Sequence, residues 1–494
     1  MQRRPILYKL FLFGAVLASC TKGMEQMNVN PNESTNTQPE YLLSTVMSGT
    51  AYGYQQDAYF DKPASAGRYI TMVLNEGNDK FNWGGVDWGS TFSRLSTNHE
   101  MMKVATKQGQ LQYVTIGKIF DAFNFAYLTD LYGDIPYTEA LQLKETRNSH
   151  PKYDQQKDIY PALLKELKDA NDELANTKIE MVKSYDPMYN GNYTQWRKFA
   201  NSLRLRMLLR ISKNYPNAFT EMQEIINDPQ KYPIFISNND NAELPYYGAI
   251  KDNSWPGGPL NGAYSEFDKR KPSKEVVDFL LQRNDPRLQV WIAPRDSAQP
   301  AFNGRTVDNK LYVGVPNAVT EPYLYNGGNG FMSRLNPTYS LDKSPLVKAS
   351  MMTYSEVCFI LAEVVQAGKV TVPNKTAEDL YLEGIKSSMR FYGVEQAAIN
   401  ADYFKQASVI YNGTLEQLIG QKWISNFLKG SEGWFDHRRT GYPAFVLGPV
   451  SAFKVIPKRY MYPLSELSNN ADQYNKAVSV FGKDDQFTLM WYLK

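Results

Sequence analysis

Cysteine and histidine are scarce, 2 and 3 residues in a chain of 494, so neither a disulfide framework nor a Cys/His metal cluster can organise this protein. His99, His150 and His437 lie far apart, and no H-E-x-x-H or G-x-S-x-G motif occurs. Gly84 to Ser90 has glycine spacing but no phosphate-loop lysine. Charge of one sign is also missing: 54 Lys plus Arg against 51 Asp plus Glu leave +3, no basic field for nucleic acid or anionic lipid. No EF-hand loop is present. A structural calcium held by scattered Asp, Asn and carbonyl groups has no sequence signature and stays open; no other cofactor is indicated.

What is abundant is aromatic. With 34 Tyr, 24 Phe and 8 Trp, 13% of the chain can supply packing and stacking surfaces. An apolar share of 43%, a charged share of 21% and 27 prolines describe a globular chain, excluding disorder, coiled coil and collagen. The length allows two to four domains or one large one.

The N-terminus reads as an export signal. Arg3, Arg4 and Lys9 precede the apolar run Leu10 to Ala18, too short for the roughly 20 residues that span a hydrocarbon core, and Ser19-Cys20 follows. Leu17-Ala-Ser-Cys20 resembles a bacterial lipobox, which implies cleavage after residue 19 and lipidation of Cys20. Three basic residues leave with residues 1–19, so the mature chain carries 51 charges of each sign. Cys358, on the apolar face of a helical stretch, reads as a small buried hydrophobe.

Residues 20–38, rich in Asn, Thr, Ser and Pro, read as a polar tether. Amphipathic stretches follow: Ile159, Leu163, Leu167, Ala170 and Leu174 recur at helical spacing, as do Trp196, Ala200, Leu203, Met207 and Ile211. Helices are also predicted near 39–58, 110–131, 272–282, 352–366, 376–391 and 414–429, the last with a Thr414/Gln417 capping box. Between 231 and 350 Gly, Pro, Asn and Asp cluster instead, predicting a loop-rich insertion, and long irregular segments in compact proteins usually carry function. Helical hairpins without a strict repeat leave tetratricopeptide-like packing open.

Several stretches together resemble the SusD/RagB family of Bacteroidetes surface lipoproteins, and more closely its SusD-like branch. Besides the lipobox, they are Leu128-Thr-Asp-Leu-Tyr-Gly-Asp-Ile-Pro-Tyr-Thr-Glu-Ala, Pro151-Lys-Tyr-Asp-Gln-Gln-Lys-Asp-Ile-Tyr, Trp196-Arg-Lys-Phe-Ala-Asn-Ser-Leu-Arg-Leu-Arg, Glu432-Gly-Trp-Phe-Asp-His-Arg-Arg-Thr-Gly-Tyr-Pro and Arg459-Tyr-Met-Tyr-Pro-Leu-Ser-Glu-Leu. Read physically, these are fold determinants: Gly133 caps a helix, Pro136 stops it resuming, and Arg438 and Arg439 tie a helix end to carbonyls or carboxylates. The resemblance implies a mainly α fold, tetratricopeptide-like hairpins packed on a loop-rich ligand-binding half, in one domain spanning 39–494. It also implies outer-membrane attachment through the lipid, an oligosaccharide or peptide ligand, and delivery of that ligand to a SusC-like TonB-dependent transporter without catalysis. Residues 21–28 lack the acidic run that often directs such lipoproteins outward, so a position facing the cell exterior is implied by the family alone.

Sugar recognition needs flat apolar rings flanked by amides and carboxylates. Residues 75–92 offer that mixture, which selects Trp83 and Trp88 with Asn78 as polar partner. Trp255, in a Pro-Gly loop, and Tyr325, beside Asn326-Gly-Gly, are further candidates from the insertion. Trp196, Trp291, Trp423 and Trp434 lie on apolar helix faces and are assigned to the core. Two other readings remain open from sequence: a lipid-anchored glycoside hydrolase, since 51 acids make carboxylate spacing uninformative, and a tetratricopeptide-like scaffold without a small ligand.

Overall fold

The computed structural model describes residues 37–74, 77–261, 267–296, 310–399 and 401–494; the expected signal, Cys20 and most of the expected tether lie outside them. Helices dominate. The chain opens with α1 (Pro39–Phe60), then α2 (Gly89–Lys107), α3 (Leu111–Tyr132), α4 (Gln156–Asn176), α5 (Tyr193–Ile211) and α6 (Ala218–Asn227). After the loop-rich segment, which contains α7 (Lys274–Gln282), come α8 (Tyr354–Gln366), α9 (Ala377–Phe391), α10 (Leu415–Ser425), α11 (Glu432–Thr440) and α12 (Ala471–Phe481). Each of α1 to α6 packs on its sequence neighbour, and α5 passes the layer on to α8, which packs against α9 and α10. The result is a stack of antiparallel helical hairpins, the tetratricopeptide-like arrangement.

The local causes are visible. The 3- and 4-residue apolar spacing of α4 puts Ile159, Leu163, Leu167, Ala170 and Leu174 in the core. Asn192 caps α5, its side chain accepting from the amides of Thr194 and Gln195 at 3.0 and 3.3 Å. Gly117 lets α2 come close to α3: a Cβ there would stand 2.4 Å from Met102 Cγ. Gly133, at φ +88°, ends α3 in a conformation that favours glycine, its N–H bonded to Thr129 O at 2.8 Å. The Thr414 cap is half of the expected box. Its hydroxyl accepts from Gln417 N at 3.3 Å, but the Gln417 side chain accepts from Asn412 N at 2.9 Å rather than from Thr414.

Strands are short and paired: β1 (Ile70–Met72) with β5 (Arg270–Pro272), β2 (Ile135–Pro136) with β3 (Tyr153–Asp154), β4 (Ala242–Pro245) with β8 (Lys348–Met352), and β6 (Ile292–Ala293) with β7 (Arg334–Leu335), all antiparallel. The β4–β8 ladder brings the two ends of the loop-rich segment together, and β5 anchors its middle to the chain just after α1. Cys358 is buried in α8, and that burial pushes its thiol up to about 12, so it stays protonated. No helix among the described residues is long and apolar enough to cross a membrane.

Candidate functional site

The sequence stretches that resemble a family converge on one buried ionic cluster. Arg206 and Arg210, one turn apart on α5, face the same way. Arg206 forms a two-pronged pair with Glu356 of α8 at 2.6 Å and donates to Met351 O at 2.8 Å. Arg210 bridges Asp130 of α3 and Glu432 of α11. Tyr160 also bonds Asp130, and Tyr54 donates to Glu432 at 2.9 Å. Arg438 donates to Asp130 O and Lys458 O at 2.9 and 2.7 Å, and Arg439 holds Glu363 and Asp436 at 2.8 and 3.0 Å. Arg459 reaches Tyr132 O at 3.0 Å. Burial drives the Asp436 carboxyl up, but Lys422 at 2.8 Å and Arg439 outweigh it and hold the group down at about 2. Each arginine is bonded to a carboxylate or a carbonyl, so these residues fasten helices together.

The tryptophans expected to bind ligand turn inward. Trp83 is 5% exposed; its indole N–H donates to Asn78 O at 3.0 Å and its ring is edge-packed on Phe81, Trp434 and Tyr460. Trp88, 7% exposed, sits among Phe92, Tyr132, Tyr153 and Tyr462. Trp255 is fully enclosed by Tyr59 and Tyr246, with its indole N–H on Tyr339 O at 2.8 Å. The correction has one physical reason in all three cases: an indole buries more area than any other side chain and finds one acceptor, so a turn-rich segment uses it as the plug that fastens it to the helices. Asn78 is half-buried, and it is its backbone carbonyl that accepts from Trp83. Trp196, Trp291, Trp423 and Trp434 are core residues, as their helix faces predict.

Tyr325 is different. It is half-exposed, rests on Val73, Val315 and Met332, and lines an open cleft of about 470 Å³ with Tyr312, Lys274, Asp278, Gln282 and Lys310. The chain builds this cleft by tying residues 313–315 alongside the start of α7: Val315 N donates to Pro272 O at 3.1 Å and Lys274 N to Val315 O at 2.9 Å. Gly314 permits the approach, since a Cβ would meet Ser273 O at 2.6 Å. Ser273 caps α7 through Val276 N at 3.1 Å, so Lys274, Asp278 and Gln282 follow on one outer ridge. Lys274 and Asp278 are paired, leaving two tyrosine rings, an amide, a neutralised ion pair and Lys310 along the cleft. Tyr312 carried no sequence signal, because Leu311 and Val313 beside it offer neither the glycine nor the amide neighbours that singled out Tyr325.

A second cleft of about 570 Å³ lies on the other flank of α7, lined by Glu275, Arg283, Gln417 and Phe445, and again by Asp278 and Gln282. Its floor is Trp423, buried beneath Phe279 and Phe445 with ring centroids at 5.6 Å in both cases. His437 fastens the 441–446 wall: its Nδ1 lies 3.0 Å from Pro443 O, so that nitrogen carries the proton. Burial, reinforced by Lys458, lowers the ring to about 4, and it is neutral at pH 7. Among the described residues no three His, Cys, Asp or Glu side chains are placed to hold a metal ion.

Comparison with known proteins agrees with this architecture. The SusD-like family described as starch-binding associating with outer membrane matches residues 31–463. No curated protein matches the chain. Among solved structures, a Bacteroides vulgatus protein proposed to be an outer membrane protein involved in nutrient binding is 27% identical with a TM-score of 0.79, covering 93% of this chain and 100% of its own. A SusD homologue of Bacteroides fragilis is 26% identical with a TM-score of 0.79, over the same 93% and 100%. A chitin-binding protein is 26% identical with a TM-score of 0.77, over 92% and 99%. With its hairpin stack, its loop-rich face and the match across most of its length, the chain belongs to the SusD-like family of starch-binding-associated, outer-membrane proteins.

Proposed function

We propose that this protein captures an oligosaccharide in the cleft beside Tyr325 and passes it to a SusC-like TonB-dependent transporter, while held to the outer membrane through a lipid on Cys20. In this reading residues 1–19 are the signal, 20–38 the tether and 39–494 the single folded domain. One observation carries the ligand class: Tyr312 and Tyr325 present rings beside Asp278, Gln282 and Lys274, the pairing of apolar faces with hydroxyl-binding groups that sugars need. The 26%-identical chitin-binding protein makes an N-acetylated amino sugar the first ligand to try, and a peptide the second. Among the described residues this cleft is lined by one carboxylate, Asp278, paired to Lys274, whereas glycoside cleavage takes two; Glu275 and Glu416 line the neighbouring cleft. Calorimetric titration of residues 21–494 with chito- and malto-oligosaccharides tests the reading. Tyr312→Ala with Tyr325→Ala weakens binding about tenfold or more while the melting temperature stays within a few degrees. Undiminished affinity in that double variant overturns the assignment of the cleft. Recovery of a β-barrel partner with the detergent-solubilised native protein tests the delivery step.

A further inference from the structure

The two clefts flank one short helix and have two residues in common. Asp278 and Gln282 line both, one turn apart along the outer ridge of α7, while Val276, Val277 and Leu280 hold the opposite face of the helix in the core. On the Lys274 side the ridge falls away to Tyr312 and Tyr325. On the other it falls to Phe445, half-exposed and backed by Trp423, and to the Arg283 guanidinium lying on the Phe279 ring at 3.6 Å. Glu275 also lines this second cleft, and its Oε2 is buried without a hydrogen-bond partner. A buried acceptor left unmet costs free energy until a donor reaches it. Aromatic surface and polar groups thus recur on both sides of a polar ridge.

We infer that the ligand is a chain long enough to cross α7, with one end against Tyr312 and Tyr325 and the other against Phe445, and with Asp278 and Gln282 as its contacts at the crossing. This deepens the proposed function and rests on it. A helix with its side chains is about 10 Å across, so a monosaccharide occupies one cleft only, and contact with both takes a trisaccharide or longer. The second cleft therefore reads ligand length, while the first supplies the common binding step.

The test is a length series. Chito-oligosaccharides from the disaccharide to the hexasaccharide are titrated against residues 21–494, with the malto series alongside. Affinity rises about tenfold or more from the shortest to the longest in the native protein. Phe445→Ala removes that rise and leaves disaccharide binding unchanged. Val446→Trp does the same by filling the mouth of the second cleft, and because Val446 is 80% exposed this variant leaves the core intact. A rise that survives in both variants confines the ligand to the Tyr325 cleft and overturns the inference alone. A rise lost only together with disaccharide binding also overturns it, since the second cleft would then not be a separate reader of length. Failure of both series to bind at any length overturns this inference and the glycan reading together.

Discussion

The helical half and the loop-rich half of this molecule solve the same problem, how to fix a chain in place, with a different balance of chemistry. In the hairpin stack an ionic cluster stands out: Arg206, Arg210 and Arg439 are buried against Glu356, Asp130, Glu432, Glu363 and Asp436, and Arg438 against carbonyls and Tyr492. In the turn-rich segments aromatic plugs stand out, Trp255 between Tyr59 and Tyr246 and Trp83 against Trp434 and Tyr460, beside one fully buried ion pair, Arg287 with Asp285. Buried ion pairs are exacting about geometry and punish the loss of one partner, whereas an aromatic plug tolerates any backbone that can reach its slot. The exacting half is where sequence signatures accumulate, and the tolerant half is where clefts open.

That contrast can be broken in graded steps. The largest effect is expected from Arg210→Ala, which strands Asp130 and Glu432 without their shared cation; about 3–5 kcal/mol should disappear from the unfolding free energy in a denaturant titration. Trp255→Ala probes the other half at comparable cost, about 3–5 kcal/mol for an indole removed from a filled site. A loss below about 1 kcal/mol would show that the loop-rich half does not depend on its plugs.

Lys429 sharpens the comparison because it is a buried amine set against aromatic rings. Its Nζ has no hydrogen-bond partner, lies 3.9 Å from the Phe391 ring centroid, and burial lowers it to about 7. In the folded protein the amine therefore sheds its proton near pH 7, whereas in the unfolded chain it keeps it until the ordinary lysine range. Between those values the unfolded state binds more protons, so stability from this group declines as pH falls from about 10 to 7. Lys429→Met should be more stable than the native protein, with a gap that widens across that window; thermal melts of both proteins from pH 10 to pH 7 measure it. The smallest effect is Thr414→Ala, about 1 kcal/mol from one lost cap. Gln417→Ala should cost a similar amount or less, since Gln417 braces Asn412 rather than completing the box.

Much of this fold can be read from apolar spacing, because α4 and α5 bury regular stripes. α2 escapes such a reading: its inward positions include Thr91 and Asn98, and the Asn98 side-chain NH2 donates to Gly117 O and Asp121 Oδ1, both at 2.8 Å, partners that exist only once α3 is alongside. The fold-determining character of Arg438 and Arg439 is legible from their place at a helix end, but not that Arg210, outside every motif, closes the cluster. At the candidate site the outcome is reversed. Tryptophan in a polar, glycine-rich stretch looks like ligand surface, and Trp83, Trp88 and Trp255 are plugs, because composition cannot say which way a ring points. Tyr325 was visible through its glycine-rich surroundings, while Tyr312 depends on a backbone tie to α7 that no local pattern announces.

The β4–β8 ladder, with Ala242 opposite Met352 and Pro245 opposite Lys348, has an evolutionary reading. It fixes where the chain leaves the hairpin stack and where it returns, while β5, Arg287 and Trp291 tie the segment down in between, so length changes are cheapest in the turns between these ties. Lengthening such an excursion costs little, since closure entropy grows only with the logarithm of its length. Insertions and deletions in those turns can therefore reshape the clefts while the arginine-bound stack behind keeps its partners.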